Sequence, residues 1–139
     1  MRRAAIDIGT HSVRLLVADV QDNAFCHREK YIQITRLGEG LAATGQLQDS
    51  ALARTVQAVA DFVQLAKQKH AQMPVFCYAT SAAREASNGG QLLARLKTIA
   101  DLQAEIIDGA LEAYVAYLSL IHISVSIKAN CYVTLFPRN

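Results

Sequence analysis

The chain has 139 residues, 52% hydrophobic and 19% charged, a composition that excludes an intrinsically disordered chain. Its formal net charge of +2 is too small to indicate binding to nucleic acid or to an anionic membrane surface, and no apolar stretch is long enough to span a bilayer. Three cysteines without metal-ligand spacing exclude a zinc site and predict a reducing compartment, the cytoplasm.

The first predicted elements form an antiparallel meander. Apolar and β-branched residues predict strands over residues 4–8, 13–20 and 25–37. Turns are expected at residues 9–12 and at Asn23. Because tight turns join these strands, consecutive strands are expected to pair antiparallel.

A glycine-containing loop and a long helix follow the meander. The loop contains Gly38, Gly40 and Gly45. An amphipathic helix capped by Asp49 or Ser50 is predicted next, ending near residue 69 or 70. Its apolar positions alternate between steps of four and three residues: Leu52, Val56, Val59, Val63 and Ala66.

Alternating strands and helices complete the predicted fold. Short strands are predicted over residues 75–79 and 104–107, and another helix begins near residue 110. Between the strands lie a brief helix carrying Arg84 and a helix marked by Leu92, Leu96 and Ile99. The order βββ-α-β-α-β-α predicts an α/β fold with a mixed sheet and helices on its faces. Residues 121–135 alternate apolar and polar positions, which predicts a further strand.

The first candidate site is the string Asp7-Ile8-Gly9-Thr10-His11-Ser12 at the end of the first strand. Gly9 allows backbone angles that other residues avoid, and the amides of residues 9–12 can cradle phosphate together with the Thr10 and Ser12 hydroxyls. His11 is a further candidate donor to an anion, and Asp7 can hold a hydrated Mg²⁺ ion. An ordinary hairpin with a turn glycine explains the same string.

The second candidate site begins where the strand over residues 75–79 runs into Thr80 and Ser81. A helix start presents free amides and the positive end of the helix dipole, which favours anions. Arg84 lies one turn further, and its guanidinium fits phosphate. A capped helix with a solvated arginine explains these residues equally well.

Glu112 is the third candidate, in the first helical turn after the strand over residues 104–107. It can act as general base on a water molecule, although a partner for the helix dipole is the simpler explanation. Arg14, on the strand after the first turn, points toward the cleft or away from it depending on strand register.

Four strings in order resemble the exopolyphosphatase / guanosine pentaphosphate phosphohydrolase family: AAIDIGTHSVRLLVA, RLGEGLAATGQL, YATSAAREASNG and AEIIDGALEAYVAYL. They cover about residues 4–118. The resemblance implies an actin-like, ribonuclease H-like fold, with which the predicted element order agrees. It also implies hydrolysis of a terminal phosphoanhydride in polyphosphate or guanosine pentaphosphate, with Mg²⁺ as cofactor.

The same resemblance implies site roles. Asp7 is expected to hold the metal and Glu112 to activate water for attack. Phosphate binding is expected from the remaining site residues: Gly9, Thr10, His11, Ser12, Arg14, Ser81 and Arg84. No nucleic acid or membrane partner is expected, and a homodimer is the oligomer expected of the full-length protein.

The chain departs from the family pattern in four places. His11 stands where the family usually has Asn, Leu111 replaces a Glu, and Tyr114 replaces an Arg. Family members continue into an Asp-x-Gly-Gly-Gly-Ser/Thr loop and a second domain, whereas residues 110–139 contain neither Gly nor Asp. We therefore expect residues 1–118 to be a truncated N-terminal phosphatase domain, residues 119–139 to be a divergent, non-native tail, and the 139-residue chain alone to be inactive.

Two other functions stay open at this stage. The string DIGT alone also permits an ATP-using sugar kinase or ATPase of the actin-like superfamily. The missing second loop also permits a non-catalytic polyanion-binding domain.

Overall fold

A five-stranded mixed sheet is the frame of the fold in residues 1–21 and 24–114, which are the residues that the computed structural model describes. The strands are β1 (Arg2–Ile8), β2 (Ser12–Gln21), β3 (Ala24–Ile34), β4 (Phe76–Ala79) and β5 (Glu105–Ile106). The helices are α1 (Leu41–Thr44), α2 (Asp49–Gln68), α3 (Ser81–Glu85) and α4 (Gly90–Ala100), and residues 109–114 are also helical.

The strand order is β3-β2-β1-β4-β5. The first three strands pair antiparallel, whereas β4 runs parallel to β1 and β5 runs parallel to β4. This arrangement confirms the predicted meander followed by alternating units, and with it the actin-like mixed sheet. The parallel strands β1, β4 and β5 bring their carboxyl ends to one edge of the sheet, and chemistry-bearing residues follow these ends.

The core lies between the sheet and the two long helices. Alternate residues of β1 and β2 are buried on one face of the sheet, where α2 packs against β1, β2 and α4. These residues are Ile6, Ile8, Val13, Leu15 and Val17. Burial of each large aliphatic side chain contributes about 1.5–3 kcal/mol. The period-two pattern of the strands and the helical period of α2 therefore place their apolar sides on one shared core.

The end of the sheet away from the carboxyl ends of the parallel strands carries a network of charges around Glu29 in β3. The Glu29 carboxylate accepts hydrogen bonds from Lys69 Nζ at 2.6 Å and Tyr31 OH at 2.7 Å, and it also pairs with Arg2. These contacts lower the pKa of Glu29 to about 2, chiefly through the hydrogen bond from Lys69 and then that from Tyr31. The network joins the end of α2 to β3 and β1.

Several predicted details are wrong. Helix α2 begins at Asp49, with Gln48 as its N-cap and no side-chain cap hydrogen bond. Asp49, one of the two predicted caps, is the first helical residue, and its carboxylate binds Arg95 Nη2 at 2.5 Å. The third strand ends at Ile34 rather than at residue 37, since Arg36 has a left-handed φ of 51° that breaks the extended backbone.

Two further findings concern helices. Helix α1 forms within the loop that the glycines predict, flanked by Gly40 and Gly45 with positive φ. The helix marked by Leu92, Leu96 and Ile99 is confirmed as α4, whose buried residues are Leu92 and Leu96, whereas Ile99 is 60% exposed.

The remaining predictions fall beyond this part of the chain. The domain boundary between residues 118 and 119 and the strand predicted over residues 121–135 lie outside the described residues. Within those residues, none of the helices combines the length and the apolar character needed to cross a bilayer.

Candidate functional site

The turn between β1 and β2 (residues 9–11, called the phosphate turn below) is fixed by backbone hydrogen bonds on its carbonyl side. Thr10 O accepts from Gly38 N, and His11 O accepts from both Thr35 N and Arg36 N, each at 3.0 Å. In the described part of the chain, the amides of Thr10 and His11 donate to no acceptor. These two N–H groups are therefore the ones available to an anion.

Gly9 differs from its predicted role. Its amide donates to Ser12 O at 3.0 Å and is not available to phosphate. Its φ is not left-handed, unlike that of Gly40 and Gly45, so the predicted unusual backbone angle is wrong. A Cβ at Gly9 would lie 3.2 Å from Ser12 O, so the small residue allows the chain to turn tightly.

The phosphate turn meets the start of α3 through a hydrogen bond of 2.8 Å between Thr10 Oγ1 and Ser81 Oγ. The two segments meet because β1 and β4 are parallel neighbours that end side by side, and Thr80 N donates to Ile8 O at 3.1 Å. Ligand sites commonly lie beyond the carboxyl ends of such strands. The structure thus brings together the first and second candidate segments of the sequence.

A loop over residues 35–48 (the bracing loop) forms hydrogen bonds with the phosphate turn at one end and with the turn between α3 and α4 at the other. Its first residues hold the phosphate turn through the three hydrogen bonds given above. Its far end binds the α3–α4 turn, where Leu47 N donates to Asn88 Oδ1 at 2.8 Å and Asn88 Nδ2 donates to Leu47 O at 3.0 Å. Ser87 N also donates to Gly45 O at 3.0 Å.

The sequence alone indicated no role for this loop, although the loop contains the string RLGEGLAATGQL. The glycine spacing indicated a loop, but its partners lie far away in sequence and no local pattern reveals them. Gly38 gives the sharpest sign of close packing, since a Cβ there would lie 2.5 Å from Thr10 Cγ2.

Arg84 and Glu112 come together on the β5 side of the site. Arg84 Nη1 donates to Glu112 Oε2 at 3.1 Å and to Ile107 O at 2.9 Å. Asp108 caps the helical segment 109–114 by accepting from Leu111 N at 2.7 Å, which orients the turn that carries Glu112. The second and third candidate segments are therefore also joined.

Asp7 and Arg14 face each other on neighbouring strands. Their register pairs them directly across β1 and β2, with Arg14 Nη1 3.7 Å from Asp7 Oδ2. Because Val13 and Leu15 point into the core, the Arg14 side chain lies on the opposite face of the sheet, together with that of Asp7. Arg14 is largely exposed, with 62% of its side chain accessible.

The pKa of Asp7 is raised above its usual value of 3.8. Burial is the largest cause, the Arg14 charge opposes it, and the negative charge of Glu112 adds to it. The influence of Glu112 shows that the two carboxylates share one electrostatic neighbourhood. Perturbed pKa values of this kind are common among residues of functional sites.

In the described part of the chain, the side chains of His11 and Ser12 form no hydrogen bond to the other candidate residues. The His11 side chain is exposed and, within the described residues, has no hydrogen-bond or ion-pair partner. Ser12 begins β2, and its carbonyl closes the phosphate turn by accepting from Gly9 N. The structure thus positions His11 and Ser12 next to the other candidates without joining their side chains to them.

The sequence and structure have clear relatives. The model of the Ppx/GppA phosphatase family matches residues 16–134. Exopolyphosphatase 2 of Mycobacterium tuberculosis is 39% identical over 127 residues, which cover 84% of this chain and 39% of that protein.

Solved structures agree with this match. The Ppx/GppA family member of Aquifex aeolicus superposes with a TM-score of 0.79 at 34% identity, covering 86% of this chain and 39% of that one. An exopolyphosphatase from Cytophaga hutchinsonii superposes with a TM-score of 0.72 at 29% identity, covering 82% of this chain and 36% of that one. The chain therefore spans about two-fifths of the length of these relatives.

Proposed function

Since the chain belongs to the Ppx/GppA phosphatase family, we propose that it supplies one wall of a phosphohydrolase site that releases terminal phosphate from polyphosphate or guanosine pentaphosphate. The observation that carries this proposal is the Thr10–Ser81 hydrogen bond of 2.8 Å. It joins a turn with two available amides to the start of the helix that bears Arg84. A terminal phosphate at this junction would meet amides, hydroxyls and a guanidinium, all of which suit its oxygens.

Hydrolysis of a phosphoanhydride depends chiefly on positioning and on neutralising charge. In the proposed site the Thr10 and His11 amides and the Ser81 hydroxyl hold the terminal phosphate, and Arg84 neutralises part of its charge. Arg14, exposed on the same sheet face as Asp7, guides the next phosphate of the chain. Glu112 accepts the proton of the attacking water.

The residues present fit Mg²⁺ bound together with the substrate. Within residues 1–21 and 24–114, no group of three or more His, Cys, Asp or Glu side chains could hold a metal ion. Magnesium, however, is commonly held by one or two carboxylates plus substrate phosphates and retains several waters. Asp7 would hold it here, since half of its side chain is exposed and a nearby cation favours its charged form. When bound, the ion would supply additional neutralisation of phosphate charge.

A cytoplasmic location is part of the proposal. It is supported by Cys77, a buried thiol that forms no disulfide, as expected in a reducing compartment.

A full-length family member whose matching segment is replaced by residues 1–114 of this chain tests the proposal. Orthophosphate release is measured with polyphosphate and with guanosine pentaphosphate, with and without Mg²⁺. We expect Mg²⁺-dependent release from at least one substrate and a loss of at least about a hundredfold in Glu112→Gln, typical of general-base removal. Glu105→Gln, on the exposed side of β5, is the matched control and is expected to retain activity. Release from neither substrate by the parent chimera would contradict the proposal.

A non-catalytic polyanion-binding domain is the second candidate. It is favoured by the composition of residues 110–139, which contain no Gly or Asp with which to build the second phosphate loop. Calorimetric binding of tripolyphosphate, combined with the absence of phosphate release from the chimera, would favour this function over hydrolysis.

A further inference from the structure

Arg84 binds two acceptors that belong to the same stretch of chain. Its Nη1 donates to Ile107 O at 2.9 Å and to Glu112 Oε2 at 3.1 Å. Arg84 itself lies in α3, three residues after Ser81, which forms the contact with Thr10. One guanidinium thus connects the helix start proposed to bind phosphate with the carboxylate proposed to activate water.

The Arg84–Glu112 ion pair is weak enough for another anion to replace Glu112 as the partner of Arg84. Their side chains are 32% and 39% exposed, and partly exposed ion pairs contribute little to stability because water competes for both partners. A terminal phosphate carries more negative charge than a carboxylate and accepts two parallel hydrogen bonds from a guanidinium. A phosphate bound at Ser81 would therefore compete successfully for Arg84.

The surroundings of Glu112 favour its release. Asp7 feels the negative charge of Glu112, so the two carboxylates repel each other, and the Arg84 cation offsets this repulsion in the paired state. Arg14 also faces Asp7 from β2. Once Arg84 binds phosphate, the Glu112 carboxylate loses the hydrogen bond from Arg84 Nη1, and its oxygens are then open to accept a hydrogen bond from water.

We propose that Arg84 holds Glu112 in the ligand-free state and exchanges it for the terminal phosphate, so that substrate binding itself frees the general base. This inference rests on the proposed function and adds an order of events to it. Glu112 acts in two roles: it competes with phosphate for Arg84 before binding, and it accepts the water proton afterwards. The alternative is a permanent salt bridge that only fastens the helical segment 109–114 to α3.

The test is a double-mutant cycle on the 139-residue chain, with binding of tripolyphosphate measured by calorimetry in EDTA. We expect Glu112→Gln to tighten binding by about fivefold, because it removes a competitor of modest strength. Arg84→Gln is expected to weaken binding, and Glu112→Gln is expected to have no effect in the Arg84→Gln background. Glu85→Gln, which removes an exposed charge next to Arg84 in sequence, is the matched control and is expected to leave affinity unchanged.

A second readout needs no substitution. We expect the Nε resonance of Arg84 and the side-chain carboxyl carbon resonance of Glu112 to shift together and to saturate at the same tripolyphosphate concentration. A shift of Arg84 alone, with Glu112 unmoved, would show a permanent salt bridge and overturn the exchange.

The remaining outcomes separate the two proposals. Equal tightening by Glu112→Gln in both backgrounds would reveal a general charge effect and overturn the exchange while leaving the phosphate site intact. Absence of any binding by the unmodified chain would overturn the phosphate site itself, and the exchange with it.

Discussion

The absence of a side chain at Gly38 leaves room for the methyl group of Thr10 in the phosphate turn. A Cβ at this position would lie 2.5 Å from Thr10 Cγ2, and the β-branched Thr10 has few rotamers with which to respond. We expect Gly38→Ala to lower the free energy of unfolding by about 1–3 kcal/mol, as overpacking typically does, and to weaken tripolyphosphate binding. Urea unfolding and calorimetry measure the two effects.

Thr10→Ser supplies the control for this prediction. Serine keeps the hydroxyl that contacts Ser81 but lacks the methyl group that a new Cβ would strike. Adding Thr10→Ser to Gly38→Ala is therefore expected to restore both stability and binding. If the double variant remains as defective as Gly38→Ala, the contact with Thr10 is not the cause.

The charged form of Asp7 is expected to lower the stability of the folded chain. Because its pKa is raised in the folded protein, the folded state binds the Asp7 proton more tightly than the unfolded state does. Charged Asp7 therefore destabilises the fold as the pH rises above its usual pKa of 3.8. We expect Asp7→Asn to have a higher urea midpoint than the unmodified chain at pH 7, with the difference shrinking toward pH 3.

Asp61→Asn, on the exposed face of α2, is the control for Asp7→Asn. It removes the same charge from the chain and is expected to change the midpoint little. An Asp7→Asn variant less stable than the parent at pH 7 would contradict the electrostatic explanation.

At the scale of elements, Gly89 sets the turn between α3 and α4. A Cβ there would lie 2.0 Å from Ala83 O, a backbone atom that cannot rotate away. We expect Gly89→Ala to destabilise the chain by about 3 kcal/mol or more, a loss in the range reserved for specific structural conflicts. At Gly90, the first residue of α4, a Cβ meets no atom within 4 Å, so Gly90→Ala is expected to be neutral or stabilising. Thermal unfolding of both variants measures the difference.

The sequence predicted those elements whose pattern is local. The alternation in β1 and β2 and the helical repeat of Leu52, Val56 and Val59 each reflect burial on one face, so a single stretch of chain contains the information. Helix α1 and the end of β3 were missed. The first is a single turn between glycines, and the second depends on the backbone conformation of Arg36.

The candidate site shows the same difference between features with a local sequence pattern and features without one. Its three segments could be predicted, because each follows the end of a strand and contains residues suited to anions or to proton transfer. The contacts between segments could not, because the Arg84–Glu112 and Leu47–Asn88 contacts join residues distant in sequence. Roles for Gly38 and Asn88 become visible only when the bracing loop is seen against both of its partners.

At the scale of the whole molecule, the charge network around Glu29 makes stability depend on acidic pH. The folded pKa of about 2 lies below the usual 4.5, so the network contributes stability above the usual value, and this contribution is lost as the pH falls toward 2. We expect the urea midpoint of the unmodified chain to fall between pH 5 and pH 2 more steeply than that of Glu29→Gln. Glu85→Gln, whose charge is exposed in α3, should retain the steep fall. Parallel curves for Glu29→Gln and the parent would remove Glu29 as the cause.

The whole chain is expected to bind phosphate without rapid turnover. In the proposed site residues 1–114 provide one wall, while residues 110–139 have no Gly or Asp for an opposing Asp-x-Gly-Gly-Gly loop. Attack on a phosphoanhydride depends on positioning and on neutralising the charge of the transferred group, and a single wall supplies only part of both. We expect phosphate release from polyphosphate by the purified 139-residue chain to be indistinguishable from the buffer blank, in an assay calibrated with an active family member. Release well above the blank would contradict this expectation.

The Thr10–Ser81 contact joins residues 71 positions apart, and this separation has a consequence for how the chain acquires its fold. Closing so long a segment costs entropy before any contact repays it, so intermediates that have formed only the meander cannot bind the anion. A ligand that binds only the closed chain draws the equilibrium toward it by mass action. A polyphosphate that binds the proposed site should accordingly help this polypeptide to complete its folding, apart from any chemistry performed on it.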